Sequence, residues 1–166
     1  MKPYGGRSWQ YHGQPHRVPA QYQSRGQVEI FASVEAHSGQ VRVACLRRRR
    51  TQEVQRFLRQ ERSLHWGRDV YVILDNFGSH RSARLKQWLA KQQGEGQLHL
   101  VYLPVQAPWL NRVELFFRDL QRDVLNNSAF GGVRELVRAV VRYGRWWNAH
   151  RARDLCPETA LVNISS

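Results

Sequence analysis

The sequence predicts a mixed α/β fold in which strand–helix–strand crossovers build the second half of a sheet. Two short strand-like runs, VEIFASVEA and VRVACL, are separated by HSGQ, which is typical of a β-hairpin. Two nearly all-apolar runs, DVYVIL and LHLVYLP, predict strands that are buried on both faces. Amphipathic patterns lie between and after these runs, so the predicted order is hairpin, helix, strand, helix, strand, helix, helix.

The remaining segments fit one domain with an arm and a tail. Residues 1–27 are rich in Gly, Pro and Gln and predict an extended arm. The first predicted helix has Thr51 as its N-cap, the third begins near Asn111, and the fourth covers VRELVRAVVRYGRWWNAH. We therefore predict a domain over residues 28–150, followed by a tail over residues 151–166.

The charge of the chain indicates the kind of partner it binds. Its 166 residues include 26 Lys and Arg against 13 Asp and Glu, a formal net charge of +13. Such an excess predicts a polyanionic partner, most simply nucleic acid, and the predominance of arginine favours phosphate contacts. The alternative is a basic protein from an organism with an Arg-rich proteome.

Composition argues against several other classes of protein. No apolar run reaches the ~20 residues of a membrane span, and the first residues lack the apolar stretch of a signal peptide. We therefore expect no membrane partner and a cytoplasmic, nucleoid-associated protein. Cys45 and Cys156 form no CxxC pair, and no cysteine pair accompanies the zinc-like spacing of His12 and His16.

Two carboxylates are candidates for a metal-dependent site. Asp75 ends a predicted strand, and sites in open α/β sheets lie at the carboxyl ends of strands. Glu114 lies in the first turn of a predicted helix, and the intervening strand returns the chain to the same end of the sheet. Two carboxylates without a thiolate or histidine cluster favour Mg²⁺ (or Mn²⁺), which holds phosphates and activates water or hydroxyls. The alternatives are that Asp75 caps a helix and that Glu114 only interacts with the helix dipole.

Weaker candidates lie elsewhere along the chain. Asn111, three residues before the glutamate, is the expected N-cap of its helix, and His80 either contacts a phosphate or packs locally. The run Arg47–Arg50 has the composition of a nucleic-acid patch. Trp146 and Trp147 either stack on bases or belong to the core of the last helix.

Three arginines along the Glu114 helix are candidate DNA ligands. Arg112, Arg118 and Arg122 are spread over this helix, where they would follow a phosphate backbone. The alternative is a solvated helix face, partly paired with Asp119 or Asp123.

The segments VILDNFGSH and LVYLPVQAPWLNRVELFFRDLQRDVL together resemble the catalytic domain of Asp-Asp-Glu (DDE) transposases, in the bacterial insertion-sequence branch of the mariner-like superfamily. That family has a strand ending in Asp-Asn with a His shortly after, which here are Asp75, Asn76 and His80. A strand ending in Leu-Pro follows, here residues 103–104, and then a Pro/Ser-rich loop and Leu-Asn-x-x-Glu, here residues 110–114. The arm YGGRSWQYHGQPHRVPA also resembles the segment after the family's first catalytic strand.

The resemblance implies a ribonuclease-H-like fold, a mixed sheet flanked by helices. It also implies a Mg²⁺-dependent reaction, in which transposon ends are cleaved and the freed 3′ hydroxyl attacks target DNA. By carry-over, Asp75 and Glu114 are the second and third metal-binding catalytic acids, and Asn76, His80 and Asn111 support them. The implied partners are DNA, as transposon ends and target, and a second copy of the chain on that DNA.

The chain departs from this family at its beginning. In the family the first acid lies on a strand before the Gly-rich arm, whereas this chain starts at Met1, inside or just before that arm. We therefore expect the first strand and its Asp to be absent, with Glu29 and Glu35 as poor substitutes because ligand placement tolerates little error. We also expect an exposed apolar sheet region and little or no strand transfer by this chain alone. The alternatives are a non-catalytic, basic DNA-binding relic of a transposase and a nuclease of the same fold that acts on RNA.

Overall fold

The computed structural model describes residues 26–76, 78, 80–91, 96–104, 111–126 and 130–155. In this part of the chain the protein is mixed α/β, which confirms the predicted class. The predicted arm, except its last two residues, lies outside the described residues, as do Cys156, His12 and His16. None of the described helices combines the length and the hydropathy that crossing a bilayer requires.

The described residues form strands and helices in the predicted order. The strands are β1 (Glu29–Val34), β2 (Val41–Leu46), β3 (Val70–Leu74) and β4 (Leu98–Tyr102). The helices are α1 (Thr51–Leu64), α2 (Ala83–Ala90), α3 (Val113–Leu120) and α4 (Val133–His150). A π-helical turn over Gln121–Leu125 continues α3, and a 3₁₀ turn over Ala152–Leu155 follows α4.

The strands form two separate two-stranded sheets, β1–β2 and β3–β4, where the sequence predicted one mixed sheet. Strands β3 and β4 are parallel, with Val70 opposite Leu98 and Leu74 opposite Tyr102. The two pairs would form a single sheet only if a strand of one pair, or a further strand between them, were hydrogen-bonded to the other pair. The described residues show no such pairing. The parallel pair nevertheless places the carboxyl ends of β3 and β4 side by side.

The chain divides into two compact units. The central unit consists of residues 29–31 and 44–114, and the flanking unit consists of the other described residues. The core of the central unit is built where α1 and α2 pack against β4, around the buried side chains of Val54, Leu58, Leu85 and Leu98.

Strand β3 has one buried and one exposed face, so the prediction of burial on both faces was wrong. Val70 and Val72 pack against the core of the central unit, whereas Tyr71 is 66% exposed and Ile73 59% exposed. Val101, opposite Ile73 on β4, is exposed as well. The physical reason is that α1 and α2 cover only one face of this sheet. An apolar sheet surface is therefore exposed, as the sequence predicted.

The ends of α1 and α2 differ slightly from prediction. Helix α1 begins at Thr51 with Arg50 in the N-cap position, so Thr51 is not the cap, and its hydroxyl instead donates to Ser82 Oγ at 3.0 Å. Ser82 caps α2, because its Oγ accepts from the backbone N–H of Leu85 at 3.2 Å.

The core of the flanking unit is aromatic. Phe116 and Trp147 are fully buried and meet edge-to-face, with ring centroids 5.4 Å apart. Trp147 is therefore a core residue, whereas Trp146 is partly exposed and stacks on Tyr143 and His150. Burial of Ala152 and Leu155 extends this packing into the predicted tail.

Candidate active site

Asp75 lies directly after β3 with its side chain 53% exposed. Its Oδ1 is 2.7 Å from Nδ1 of His80. A carboxylate oxygen accepts, so the contact is a hydrogen bond in the His80 tautomer that carries a proton on Nδ1. Because Ser82 caps α2, the alternative role of Asp75 as a helix cap is not realised. The carboxylate is instead oriented by a histidine from the loop that follows β3.

Asn76 joins the carboxyl ends of the two parallel strands. Its side-chain Nδ2 donates to the carbonyl oxygen of Leu103 at 2.6 Å. The backbone N–H of Leu103 in turn donates to the carbonyl of Leu74 at 2.9 Å. The Asp-Asn and Leu-Pro segments, which are separate motifs in the sequence, therefore meet at one edge of the β3–β4 sheet.

Tyr102 is a supporting residue that sequence reasoning missed. Its hydroxyl donates to the carbonyl of His80 at 2.5 Å, and the Arg81 guanidinium lies 5.7 Å from the centre of its ring. The end of β4 thus anchors the backbone of the histidine that orients Asp75. The only sequence signal was a phenol directly before the Leu-Pro pair, which is indistinguishable from an ordinary strand residue.

Glu114 lies in the first turn of α3 and is exposed. Its backbone N–H donates to the carbonyl oxygen of Asn111 at 3.0 Å, so Asn111 contacts the helix start through its backbone. Glu114 and Asp75 belong to the same compact unit. The predicted Pro-containing loop between them, residues 105–110, lies outside the described residues.

The chemistry of these carboxylates suits a hard cation. Across the described residues, no group of three or more His, Cys, Asp or Glu side chains is close enough to hold a metal ion. Mg²⁺ commonly binds through one or two carboxylates, completing its octahedron with water and substrate phosphate oxygens. Asp75 and Glu114 are carboxylates of the type that Mg²⁺ prefers, and an ion held by them would take most of its coordination from water and substrate.

Two of the three candidate DNA-binding arginines surround a buried carboxylate. The Asp119 side chain is 1% exposed, and its Oδ1 lies 3.0 Å from Arg122 and 3.4 Å from Arg118. Arg151, which follows α4, lies 3.6 Å from Oδ2 of the same carboxylate. A buried carboxylate requires such cations, so these contacts serve the fold of the flanking unit.

Arg122 is also bound to a second carboxylate. It donates to the two oxygens of Asp123 at 2.6 and 3.1 Å, and this bond holds the pKa of Asp123 below its ordinary value. Tyr143 donates to Asp123 Oδ2 at 2.8 Å. Burial, followed by this hydrogen bond, raises the pKa of Tyr143 well above its ordinary value. All three arginines are exposed, and the alternative of a helix face paired with aspartates describes Arg122 well and Arg118 in part, because Arg118 also contacts Asp119.

The sequence offered Glu29 and Glu35 as poor substitutes for the family's first acid. Neither of them lies in a metal-binding group of the described residues. Glu35 follows β1 and accepts a hydrogen bond from the Ser38 hydroxyl at 2.7 Å. Arg42 lies 3.9 Å from the same carboxylate oxygen. Glu35 is therefore part of the hairpin turn, and Glu29 is the half-buried first residue of β1.

Comparison with known proteins identifies the family to which this chain belongs. Residues 2–137 match the family of DDE superfamily endonucleases, and the chain belongs to that family. It is also similar to the "Insertion element IS630 uncharacterized 39 kDa protein" of Shigella sonnei, with 24% identity over 143 residues. That match covers 84% of this chain and 40% of the relative, so the chain spans less than half the length of the curated relative it matches. No solved structure matches.

Proposed function

We propose that this chain is part of the catalytic region of an insertion-sequence transposase and supplies two of the acids for Mg²⁺-dependent cleavage and strand transfer of DNA. Asp75 and Glu114 are the metal-binding catalytic acids. The observation that carries the proposal is the Asp75 carboxylate, oriented by His80 at the carboxyl end of β3. Family membership and the transposable-element relative support the same reaction class.

The surrounding residues hold these two acids in place. The Asn76 amide fixes the end of β3 against the end of β4, and His80 restricts the rotation of the Asp75 carboxylate. The Asn111 carbonyl receives the N–H of Glu114 at the start of α3. When bound, Mg²⁺ (or Mn²⁺) polarises the scissile phosphate and activates water or a 3′ hydroxyl for in-line displacement.

The DNA contacts of this proposal come from exposed arginines. Arg112 and Arg118 contact backbone phosphates, which set affinity and register without reading sequence. Arg122 contributes mainly through the fold, because it is bound to Asp119 and Asp123. Two copies of the chain act together on the DNA, one at each transposon end.

A non-catalytic DNA-binding protein is the second candidate function. The observation that favours it is the basic run Arg47–Arg50, in which all four residues are exposed, together with the net charge of +13. Such a protein would bind the phosphate backbone with these arginines and would need neither Asp75 nor Glu114.

A metal-linked DNA-binding experiment separates these functions. The affinity for a 30-base-pair duplex is measured by fluorescence anisotropy in Mg²⁺ and in EDTA at one ionic strength, for the unmodified chain and for Asp75→Asn. The matched control is Asp69→Asn, because Asp69 precedes the same strand, is 54% exposed and also faces a histidine, at 3.7 Å.

If the proposal holds, Mg²⁺ tightens binding by the unmodified chain and by Asp69→Asn, since the ion is shared between carboxylates and phosphate. Asp75→Asn loses this gain, while its affinity in EDTA stays equal or becomes tighter because one negative charge is removed. If Mg²⁺ tightened duplex binding by Asp75→Asn as much as by the unmodified chain, the result would contradict the catalytic proposal and favour the non-catalytic one.

A further inference from the structure

The most exposed large apolar side chain among the described residues is that of Trp66, which is 90% exposed. It lies in the turn after α1 and before β3, whereas Asp75 follows the other end of that strand. A solvent-exposed tryptophan contributes nothing to a hydrophobic core. Its ring is a large, flat contact surface, and the side chain has only two rotatable bonds. An indole exposed to this degree can stack on a planar group of another molecule.

The turn that carries Trp66 is braced. The backbone N–H of His65 donates to Arg62 at 3.0 Å, and that of Arg68 donates to His65 at 3.1 Å. Arg62 Nε donates to the carbonyl of Gly96 at 2.9 Å. The loop before β4 therefore supports the turn, and the tryptophan is presented on a fixed backbone.

A cavity of about 270 Å³ adjoins the ring, and its charge indicates the partner. Among the described residues it is lined by Arg59, Arg62, Ser63, His65, Trp66, Gly67 and Gly96, and none of these seven carries a carboxylate. The volume is slightly below the ~300–1,000 Å³ of sites for drug-sized ligands, so a single ring system fits better than a large ligand. Two arginines beside an exposed indole are complementary to a base and its phosphates.

We propose that Trp66 stacks on an unpaired nucleobase, with Arg59 and Arg62 beside it contacting the adjoining phosphates. The site is thus a second nucleic-acid contact, separate from the carboxylate site, that captures a single-stranded stretch of the DNA substrate. It rests on the proposed function for the presence of DNA, but its binding needs no metal. Duplex DNA does not occupy it, because paired bases keep their faces stacked on one another.

The test is single-strand binding by the full chain in EDTA. The affinity for a fluorescent twelve-nucleotide oligo-dT is measured for the unmodified chain, Trp66→Ala, Trp66→Phe and Leu64→Ala. Leu64→Ala is the matched control. Leu64 is an exposed apolar residue at the end of α1, two positions before Trp66, and it does not line the cavity. Melting temperatures identify any variant whose fold has changed.

Trp66→Ala should weaken oligo-dT binding about 5- to 150-fold, as loss of one stacked base does, with an unchanged melting temperature. Trp66→Phe should retain most of the affinity, Leu64→Ala should retain all of it, and duplex binding should not change. Arg59→Gln should lower the slope of log affinity against log salt by about 0.7.

Equal oligo-dT affinities for the unmodified chain and Trp66→Ala would overturn the proposal, as would an equal loss in Leu64→Ala. If Trp66 instead contacts a second copy of the chain, Trp66→Ala lowers the sedimenting mass of the unliganded protein without changing oligo-dT affinity. That result also overturns the proposal. The oligo-dT measurements are made in EDTA, so their result does not depend on metal binding at Asp75. The proposed stacking by Trp66 and the proposed metal site can therefore fail independently of each other.

Discussion

At the scale of single residues, Asn76 and His80 make different hydrogen bonds near the Asp75 carboxylate. Asn76 bonds the backbone of the neighbouring strand, whereas His80 bonds the carboxylate itself. The sequence indicated both residues through the family motif. It could not indicate their partners, because a hydrogen bond to Leu103 depends on parallel pairing 27 positions away.

Asn76→Ala removes the amide that bonds the Leu103 carbonyl. We expect a loss of about 1 kcal/mol in the free energy of unfolding, since the half-buried carbonyl regains only part of this bond from water. Urea unfolding followed by circular dichroism measures it, with exposed Gln52→Ala as the control. An unchanged unfolding midpoint for Asn76→Ala would mean that the amide does not hold the strand ends together.

Tyr143 provides a pH-dependent prediction. Its pKa is raised in the folded state, so its contribution to stability is complete below its unfolded value of about 10 and is lost as the pH rises above it. Tyr143→Phe should therefore lose about 1.5–3 kcal/mol at neutral pH, as for a hydrogen bond to a charged group. The difference between the two proteins should shrink between pH 10 and 11.5, measured by urea unfolding. A difference that grows over that range would contradict the assigned hydrogen bond to Asp123.

At the scale of elements, the sequence predicted α1 and α4 well because their patterns are strongly amphipathic. It failed for β3, where VYVIL is apolar throughout and no alternation reveals which face the helices cover. The braced turn before β3 was also not foreseen. Its geometry depends on the approach of Gly96, which only the folded chain brings into place.

Two glycines near this turn form a matched pair. Gly67 and Gly96 have similar positive φ angles, 73° and 74°, but a Cβ on Gly67 would meet nothing within 4 Å. A Cβ on Gly96 would lie 2.9 Å from the carbonyl oxygen of Arg68, a backbone atom that cannot rotate away.

We expect Gly67→Ala to cost about 1–2 kcal/mol, the penalty of the left-handed conformation alone. Gly96→Ala should cost a further ~1–3 kcal/mol from overpacking. Thermal and urea unfolding of both variants measures the difference. Equal losses would show that the two loops do not approach as closely as described.

At the scale of the whole molecule, the exposed apolar face of the β3–β4 sheet is the main departure from an ordinary globular surface. Tyr71, Ile73 and Val101 form this face, and uncovered apolar sheet surfaces promote association. The sequence anticipated it through the family resemblance. It could not anticipate the separation into two small sheets, which is decided by tertiary pairing.

Ile73→Thr keeps a β-branched side chain and makes this face more polar. We expect less aggregation, measured by light scattering during heating, with little loss of stability because Ile73 is 59% exposed. Val72→Thr is the control on the buried face and should lower the melting temperature, since it places a hydroxyl against the core. Unchanged aggregation of Ile73→Thr would mean that another surface drives association.

The central claim is that Asp75 and Glu114 share one divalent ion, and direct Mn²⁺ binding tests it. Electron paramagnetic resonance counts free Mn²⁺ in titrations of the unmodified chain, Asp75→Asn, Glu114→Gln and the control Asp69→Asn. We predict one bound ion in the unmodified chain and in Asp69→Asn, with affinity reduced at least ~10-fold in each of the other two. Undiminished Mn²⁺ binding by Asp75→Asn or Glu114→Gln, or an equal loss in Asp69→Asn, would contradict the claim.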